Sequence, residues 1–241
     1  MWPATPSGLV RAQHELSGAT GPPWRPTGPR PLVAACFACF DRGLVGRGAR
    51  GDRGWGAAAL MHGDRHVVGT GVVQGEAGAA YEPGLQALRE GRLLEGAIRA
   101  LAVEPEVVLA NATGRDHPRR AGLALHLGAV LELPTVGVTD RPLLAMGEPP
   151  PPELGATSPL LLDGAEVARL VRTRPGARPL VVHSGWRTDL DTAVSVVLAA
   201  TRRARTPEPL RQARREARRA RAAHEPGSGR RGLGDERLPP S

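Results

Sequence analysis

The sequence predicts an α/β fold in which a mixed β-sheet is flanked by helices. Three strand-like segments follow one another near the start, and helical patterns then alternate with short apolar runs. That order is typical of a single sheet covered by helices. Hydrophobic residues make up 41% of the chain but aromatic residues only 3%, so we expect a core built from leucine, valine and alanine.

The first three strands are predicted from apolar runs that are bounded by glycine and charged residues. They span Pro31–Phe40, Trp55–Met61 and His66–Val73, and a turn through Asp64 joins the last two. A short helical stretch, Leu9–Leu16, precedes them and is followed by a Gly/Pro-rich segment that favours no regular structure.

The later elements alternate between helix and strand. Pro83 opens a helical pattern, because proline is favourable just inside a helix start, and a buried strand follows at Glu106–Ala110. A helix is predicted from about Pro118 to Leu131 and a strand at Thr135–Thr139. The remaining predicted elements are the hairpin of Leu160–Leu162 with Glu166–Arg172, the strand Leu180–His183 and the helix Leu190–Arg203.

Cys36 and Cys39 are the two cysteines of the chain. A spacing of three residues on a strand places their side chains on opposite faces, so we expect no disulfide between them. A Cys-x-x-Cys pair can be redox-active or form half of a zinc site. Because no second pair follows, we favour two buried thiols.

The charge is concentrated near the C-terminus. The formal net charge is +8, and all 32 basic residues are arginine. Residues 202–241 contain 12 arginines and five acidic residues, so this segment carries +7 of the total. A basic segment indicates a nucleic-acid partner. We therefore expect most of the affinity for nucleic acid to come from it.

The chain is predicted to contain one domain over residues 31–211. A partly disordered N-terminal extension covers residues 1–30, and an Arg-rich, largely disordered tail covers residues 212–241. No run approaches the roughly 18 apolar residues of a membrane span, and the N-terminus lacks the pattern of a secretory signal. We expect a monomeric, cytoplasmic protein without membrane contact.

Four motifs carry a resemblance to a known family. They are Tyr81–Leu85 followed by Leu88–Glu90, Gly114–Leu123, Pro134–Val138, and Ser184–Gly185 with Asp191–Ala193. In this order and spacing the chain resembles the endonuclease V family. Members of that family have a ribonuclease-H-like fold and are Mg²⁺-dependent nucleases that cleave near deoxyinosine in DNA or inosine in RNA.

The resemblance implies a base-binding site. Tyr81 and Pro83 correspond to the wedge of the family, which fills the gap left by an extruded base and offsets part of the cost of unstacking. Leu85 follows the wedge in the same motif. Glycines allow the backbone to approach the extruded base closely. The glycines that resemble those of the family's pocket are Gly84, Gly114 and Gly122.

The resemblance also implies a phosphate-binding segment at a junction between a loop and a helix. His117, Arg119 and Arg120 occupy this junction. Backbone amides at a helix start and guanidinium groups both suit a phosphate. We therefore expect these three residues to contact the nucleic-acid backbone.

The metal site implied by the resemblance is altered. The carboxylates of the family's helix after the wedge and of its last helix correspond to Glu90 and Asp191. The aspartate of the first strand corresponds to Cys36, and the aspartate before the second motif to Asn111. The lysine of the family after the third motif corresponds to Asp140.

These replacements predict weak or absent Mg²⁺ binding by Glu90, Asp191 and Asn111. Mg²⁺ prefers hard oxygen ligands. An asparagine at position 111 keeps an oxygen but loses a negative charge, and Cys36 offers a soft sulfur. The alternative sources of a missing carboxylate are Asp116 and Asp140, both on loops that the fold brings near the site.

Three functions are consistent with the sequence. The first is an endonuclease-V-like protein that binds nucleic acid, recognises an inosine or another deaminated base, and has impaired or lost phosphodiester hydrolysis. The second is an active Mg²⁺-dependent endonuclease V with a remodelled site. The third is a protein-interaction module on the same fold.

Overall fold

A computed structural model describes residues 1–19, 21–28, 31–62 and 66–224. Within these residues it contains one eight-stranded sheet and five helices. The helices are α1 (Pro6–Gly18), α2 (Gln86–Arg99), α3 (Leu123–Leu131), α4 (Leu190–Ala199) and α5 (Glu208–Ala223). The strands are β1 (Leu32–Phe40), β2 (Arg53–His62), β3 (His66–Glu76), β4 (Val107–Ala110), β5 (Thr135–Thr139), β6 (Thr157–Leu162), β7 (Ala165–Val171) and β8 (Leu180–Ser184). The predicted turn through Asp64 lies outside the described residues.

The strand order β3-β2-β1-β4-β5-β8-β7-β6 confirms the predicted mixed sheet. The three central strands β1, β4 and β5 run parallel, and the other neighbouring pairs are antiparallel. Cys36 of β1 pairs with Ala110 of β4, and Ala110 pairs with Gly137 of β5. The carboxyl ends of the three parallel strands therefore meet at one edge of the sheet.

Helices cover both faces of the sheet. Ala34 and Cys36 of β1 pack in a core cluster with α2 and α3, whereas Val33 and Ala35 pack with α4 and the start of α5. This separation follows from the two-residue period of a strand. Cys39 packs beside Trp55 and α5, away from Cys36, and both thiols are free. The prediction of two buried thiols without a disulfide is confirmed.

Several predicted boundaries were wrong. The helix expected from Pro118 begins at Leu123, because residues before it form a loop that Gly122 closes with a 2.7 Å hydrogen bond to the Gly114 carbonyl. The helix expected to reach Arg203 ends at Ala199. No helix within the described part of the chain is long and apolar enough to cross a membrane.

Both predicted terminal segments contain packed helices. In α1, Thr5 caps the first turn and Leu9 is buried. Trp2 stacks on His126 of α3, with ring centroids 4.6 Å apart. At the other end, α5 crosses the boundary predicted at Arg211, and its alanines at positions 213 and 217 are buried against the sheet. Residues 1–18 and 208–223 therefore add to the packed layers.

Glycines in β2 and β3 allow α2 to lie close to the sheet. A Cβ atom at Gly56 would lie 2.3 Å from the Leu93 carbonyl oxygen, and one at Gly71 would lie 2.4 Å from that of Ala97. Both distances are far below a van der Waals contact, so any larger residue would push the helix away. This close approach also fixes the distance between the sheet and Glu90, which lies on α2.

We expect Gly71→Ala to lower the free energy of unfolding by about 1–3 kcal/mol, the usual effect of overpacking a rigid contact. Gly69 lies two residues away in the same strand, and a Cβ there would meet nothing within 4 Å. Gly69→Ala is therefore the matched control and should be nearly neutral. Urea denaturation of both variants measures the difference, and equal stabilities would contradict the close approach of α2.

Candidate active site

Two adjoining cavities lie at the edge of the sheet where β1, β4 and β5 end. The larger is a cleft of about 320 Å³, and the smaller has a volume of about 160 Å³. Gln86 and Asn111 line both cavities. The cleft is also lined by Tyr81, Gly84 and Asp140. Sequence motifs that are far apart in the chain therefore meet at one place.

The small cavity contains three of the four predicted metal-site residues, namely Cys36, Glu90 and Asn111. Burial raises the pKa of the Cys36 thiol to about 12, so the sulfur is protonated at neutral pH. Burial also raises the pKa of Glu90 to about 7, although a hydrogen bond from Gln86 opposes this change. The Gln86 Nε2 atom donates to the Glu90 carboxylate at 3.1 Å.

Asp191 is not part of this site, so the prediction that it converges with the other three residues was wrong. Because β8 runs antiparallel to β5, the chain leaves β8 at the opposite edge of the sheet. The helix α4 then covers the face opposite α2. The Asp191 side chain is 83% exposed and pairs with Arg169 of β7.

The two loop aspartates have different surroundings. Asp116 is fully buried, and its carboxylate accepts hydrogen bonds of 2.6–2.9 Å from the backbone amides of residues 143–145. These bonds hold the loop beside the cleft and leave no free oxygen for a metal. Asp140 does line the cleft, and its side chain is 62% exposed and pairs with Arg205 at 2.8 Å.

The donor set of the small cavity does not fit Mg²⁺. It offers one carboxylate, one amide oxygen and a protonated thiol, whereas Mg²⁺ is bound through hard oxygen ligands. In the described residues, no three or more His, Cys, Asp or Glu side chains form a group that could hold a metal ion. Glu90 therefore supplies the single carboxylate of this cavity.

The Gly84 carbonyl oxygen joins the wedge segment to two other parts of the chain. It accepts hydrogen bonds from Gln13 Nε2 at 3.0 Å, His117 Nε2 at 3.1 Å and Arg119 Nη2 at 2.9 Å. Gly84 itself has a φ of 78°, which favours glycine. Tyr81 lies at the mouth of the cleft with an exposed ring, and its backbone amide donates to the Arg47 carbonyl oxygen at 2.8 Å.

His117 is neutral in this arrangement. Its Nδ1 atom accepts a hydrogen bond from the Arg119 backbone amide at 3.2 Å, so the proton lies on Nε2 and is donated to Gly84. Burial lowers the pKa of His117 to about 4. Its position matches the predicted site, but it acts as a structural donor to the wedge rather than as a cationic contact for phosphate.

The two arginines predicted to bind phosphate are engaged within the chain. Arg119 donates to Gln13 and to Gly84, and Arg120 donates to the Leu162 carbonyl and to Asp163. In addition, the helix start that would have provided free amides lies at Leu123, beyond this segment. The geometry therefore assigns both side chains to holding loops together.

Three other predicted contacts belong to the protein interior. A Cβ at Gly114 would lie 2.1 Å from the Ser184 carbonyl oxygen, and one at Gly122 would lie 2.3 Å from that of Thr113. These glycines allow backbone to pack on backbone, and neither lines the cleft. Leu85 is buried in the core with α2. Of the wedge motif, Tyr81 and Gly84 line the cleft.

Sequence reasoning missed the roles of Gln13 and Gln86. Gln13 is buried and bridges α1 to the wedge, and Gln86 separates the two cavities while bonding Glu90. A signal was present for Gln86, because it lies four residues before Glu90 on a predicted helix. No local pattern indicates the contact made by Gln13, because its partner Gly84 is 71 residues away.

The raised pKa of Glu90 predicts a stability that depends on pH. The ordinary pKa of a glutamate is 4.5, and that of Glu90 in the folded state is about 7. At pH values between these two, Glu90 is more protonated in the folded state than in the unfolded state. The contribution of Glu90 is therefore increasingly destabilising as the pH rises through that window. We expect Glu90→Gln to exceed the wild type by about 1–3 kcal/mol in unfolding free energy at about pH 8 and to match it at about pH 4.

Urea denaturation in the presence of a chelator measures this difference. Glu104→Gln, which removes an exposed carboxylate from a loop, is the control and should be neutral at both pH values. A Glu90→Gln variant that is less stable than the wild type at both pH values would contradict the prediction. It would show that the surroundings stabilise the charged carboxylate of Glu90.

Comparisons with known proteins agree with the fold. The family model "Endonuclease V" matches residues 29–215. An endonuclease V of Streptomyces avermitilis is 36% identical over 221 residues, covering 91% of this chain and 93% of its own length. Its crystal structure superposes with a TM-score of 0.82 at 35% identity, covering 92% of this chain and 95% of that chain.

A more distant structure was determined with nucleic acid. It is an endonuclease V of Ciona intestinalis in complex with a 24mer DNA containing an inosine followed by a ribo-adenosine. It has a TM-score of 0.76 at 18% identity and covers 91% of this chain and 98% of that chain, so the likeness is one of fold. The mixed sheet flanked by helices is the ribonuclease-H-like fold of these structures. This chain belongs to the endonuclease V family.

Proposed function

We propose that this chain binds inosine-containing nucleic acid through the cleft beside Tyr81 and that its Mg²⁺-dependent phosphodiester hydrolysis is impaired or lost. The observation that carries the proposal is the composition of the small cavity. Glu90 is its one carboxylate, and it lies beside Cys36 and Asn111. The cleft and the exposed Tyr81 ring beside it, in contrast, support base binding.

The cleft supports base recognition by its size and its entrance. Its volume of about 320 Å³ lies within the range of small-molecule pockets. The exposed Tyr81 ring at the mouth is suited to stack where a base has been extruded. The hydrogen bonds to Gly84 hold that segment in place, so little ordering is needed on binding.

Family membership supports inosine as the recognised base. The Ciona intestinalis protein binds DNA that contains an inosine, and the sheet and helices of its fold are preserved here. The polar groups that line the cleft include those of Asn111, Thr113 and Thr139. Amide and hydroxyl groups can donate to and accept from the edge of a hypoxanthine ring.

The low negative charge of the small cavity disfavours efficient hydrolysis. Metal-assisted cleavage of a phosphodiester requires ions that neutralise the attacking and leaving oxygens. Carboxylates at positions 36 and 111 would have provided two negative charges facing Glu90. Their replacement leaves Glu90 as the one carboxylate of the cavity, and a single negative charge holds a divalent cation more weakly than three.

We expect the wild-type protein to bind an inosine-containing single strand more tightly than the matched unmodified strand and to yield no cleavage product with Mg²⁺. Tyr81→Ala should weaken binding of the inosine strand by about 5- to 150-fold, the range for one lost base–aromatic stack. Fluorescence anisotropy measures binding, and gel electrophoresis of the same samples detects cleavage.

Tyr81→Phe keeps the ring and is the matched control, so it should bind like the wild type. Leu154→Ala removes another exposed apolar side chain, 65% accessible and outside the cleft, and should have no effect. Equal affinity of the wild type for the two strands would overturn base recognition. A cleavage product would overturn the proposed loss of hydrolysis.

Introducing aspartates at positions 36 and 111 tests whether the missing carboxylates cause the proposed loss of hydrolysis. We expect the double variant Cys36→Asp with Asn111→Asp to bind Mg²⁺ at least about tenfold more tightly than the wild type, because three carboxylates then surround one cavity. Isothermal titration calorimetry measures the change. The control is Val45→Asp with Val103→Asp, which adds the same charge at exposed positions. No gain over this control would contradict the role assigned to positions 36 and 111.

A second candidate, an active endonuclease V with a remodelled site, is favoured by one observation. Asp140 lines the cleft together with Asn111 and presents an exposed carboxylate. In that case the wild type yields a cleavage product with Mg²⁺ or Mn²⁺, and Asp140→Asn abolishes it while binding of the inosine strand is retained.

A further inference from the structure

We propose that the exposed arginines of α5 bind the phosphate backbone of nucleic acid, outside the cleft and on the opposite face of the sheet. The residues are Arg211, Arg215, Arg218 and Arg219, which we call the α5 stripe. The inference rests on the proposed function for the identity of the polyanion and adds a second contact surface to it.

The stripe follows from the packing of the helix. The buried side of α5 is formed by Leu210, Ala213 and Ala217. Residues separated by three or four positions lie on one side of a helix, so the arginines at 211, 215, 218 and 219 share the outward side. At 1.5 Å per residue, they extend over about 12 Å.

Few of these charges are neutralised by the protein itself. Arg211 pairs with Glu208 at 2.6 Å. In the part of the chain that the structure describes, no carboxylate forms an ion pair with Arg215, Arg218 or Arg219. The nearby Glu216 carboxylate instead accepts a hydrogen bond from Gln212. Three closely spaced guanidinium groups therefore repel one another unless an anion lies between them.

A shallow groove at the start of α5 extends the basic surface. Its volume is about 340 Å³, and it lies between α5, the segment after α4 and the hairpin of β2 and β3. Four of its lining residues are arginines and one is acidic. These five residues are Arg202, Arg203, Arg211, Arg215 and Glu208.

The stripe leads toward the edge of the sheet that holds the cleft. The groove begins beside Met61, which pairs with Val33 near the start of β1. At the other end of α5, Arg221 Nη1 donates to the Phe40 carbonyl oxygen at the end of β1. The helix therefore runs along β1 toward the end where Asn111 lies, so a strand leaving the cleft can continue over this edge onto the stripe.

The chemistry of the surface favours nucleic acid over a membrane. Guanidinium groups form paired hydrogen bonds with phosphate oxygens, and their spacing along the helix suits a repeating anion. A helix that binds a membrane surface buries large apolar side chains in the lipid. The non-basic positions near the outward side of α5 are Glu208, Gln212, Ala222 and Ala223, which provide little apolar area.

The test uses the full chain, two labelled single strands that differ by one inosine, and a series of NaCl concentrations. For Arg215→Gln, Arg218→Gln and Arg219→Gln combined, we expect the slope of log affinity against log salt to fall by about 2, since each lost phosphate contact removes about 0.7. Affinity for both strands should fall by the same factor, so the ratio between them stays that of the wild type.

The control combines Arg11→Gln, Arg92→Gln and Arg174→Gln, three exposed arginines on α1, α2 and a loop. It removes the same charge and should leave the slope unchanged. If the stripe variant has a lower unfolding midpoint, Arg215→Lys, Arg218→Lys and Arg219→Lys combined keeps the charge and should retain the wild-type slope.

An unchanged slope in the glutamine variant, or a fall equal to that of the control, overturns the proposal. Loss of binding to phosphatidylserine vesicles with unchanged nucleic-acid binding overturns it as well. A different result would contradict the proposed base recognition, namely equal affinity of the wild type for the two strands. The salt slopes would still test the stripe if that result were found.

Discussion

Three side chains converge on the carbonyl oxygen of Gly84, and the geometry of the cleft depends on this junction. Gln13 brings α1 to it, while His117 and Arg119 bring the loop before α3. A single backbone oxygen thus joins three segments that are distant in sequence. Tyr81 lies three residues before Gly84, and its backbone amide is held separately by the Arg47 carbonyl oxygen at 2.8 Å.

The same junction engages the guanidinium group of a basic residue beside the cleft within the protein. A guanidinium group that completes a buried hydrogen-bond network would leave its acceptors unsatisfied if it turned outward. Arg119 is held in this way by Gln13 and Gly84. The arginines with few internal partners lie instead on α5, where the helix has no layer beyond it to pack against.

The small cavity contains one carboxylate, that of Glu90, and neutral side chains at positions 36 and 111. Cys36, Glu90 and Asn111 are brought together by the parallel strands and by the close approach of α2. Two neutral side chains in this place remove the repulsion that clustered carboxylates experience without a cation. The backbone frame can therefore persist without a bound ion.

The sequence by itself determined the fold class, the family and the chemical character of positions 36 and 111. Strand and helix periodicity and short motifs are local features of the sequence, so they can be identified without knowledge of the packing. The location of Asp191 was decided by the tertiary structure alone, because it depends on the direction in which β8 pairs with β5. The partners of Arg119 and Arg120 were also decided there. Such contacts join residues far apart in the chain and result from the packing of whole layers, which no local pattern encodes.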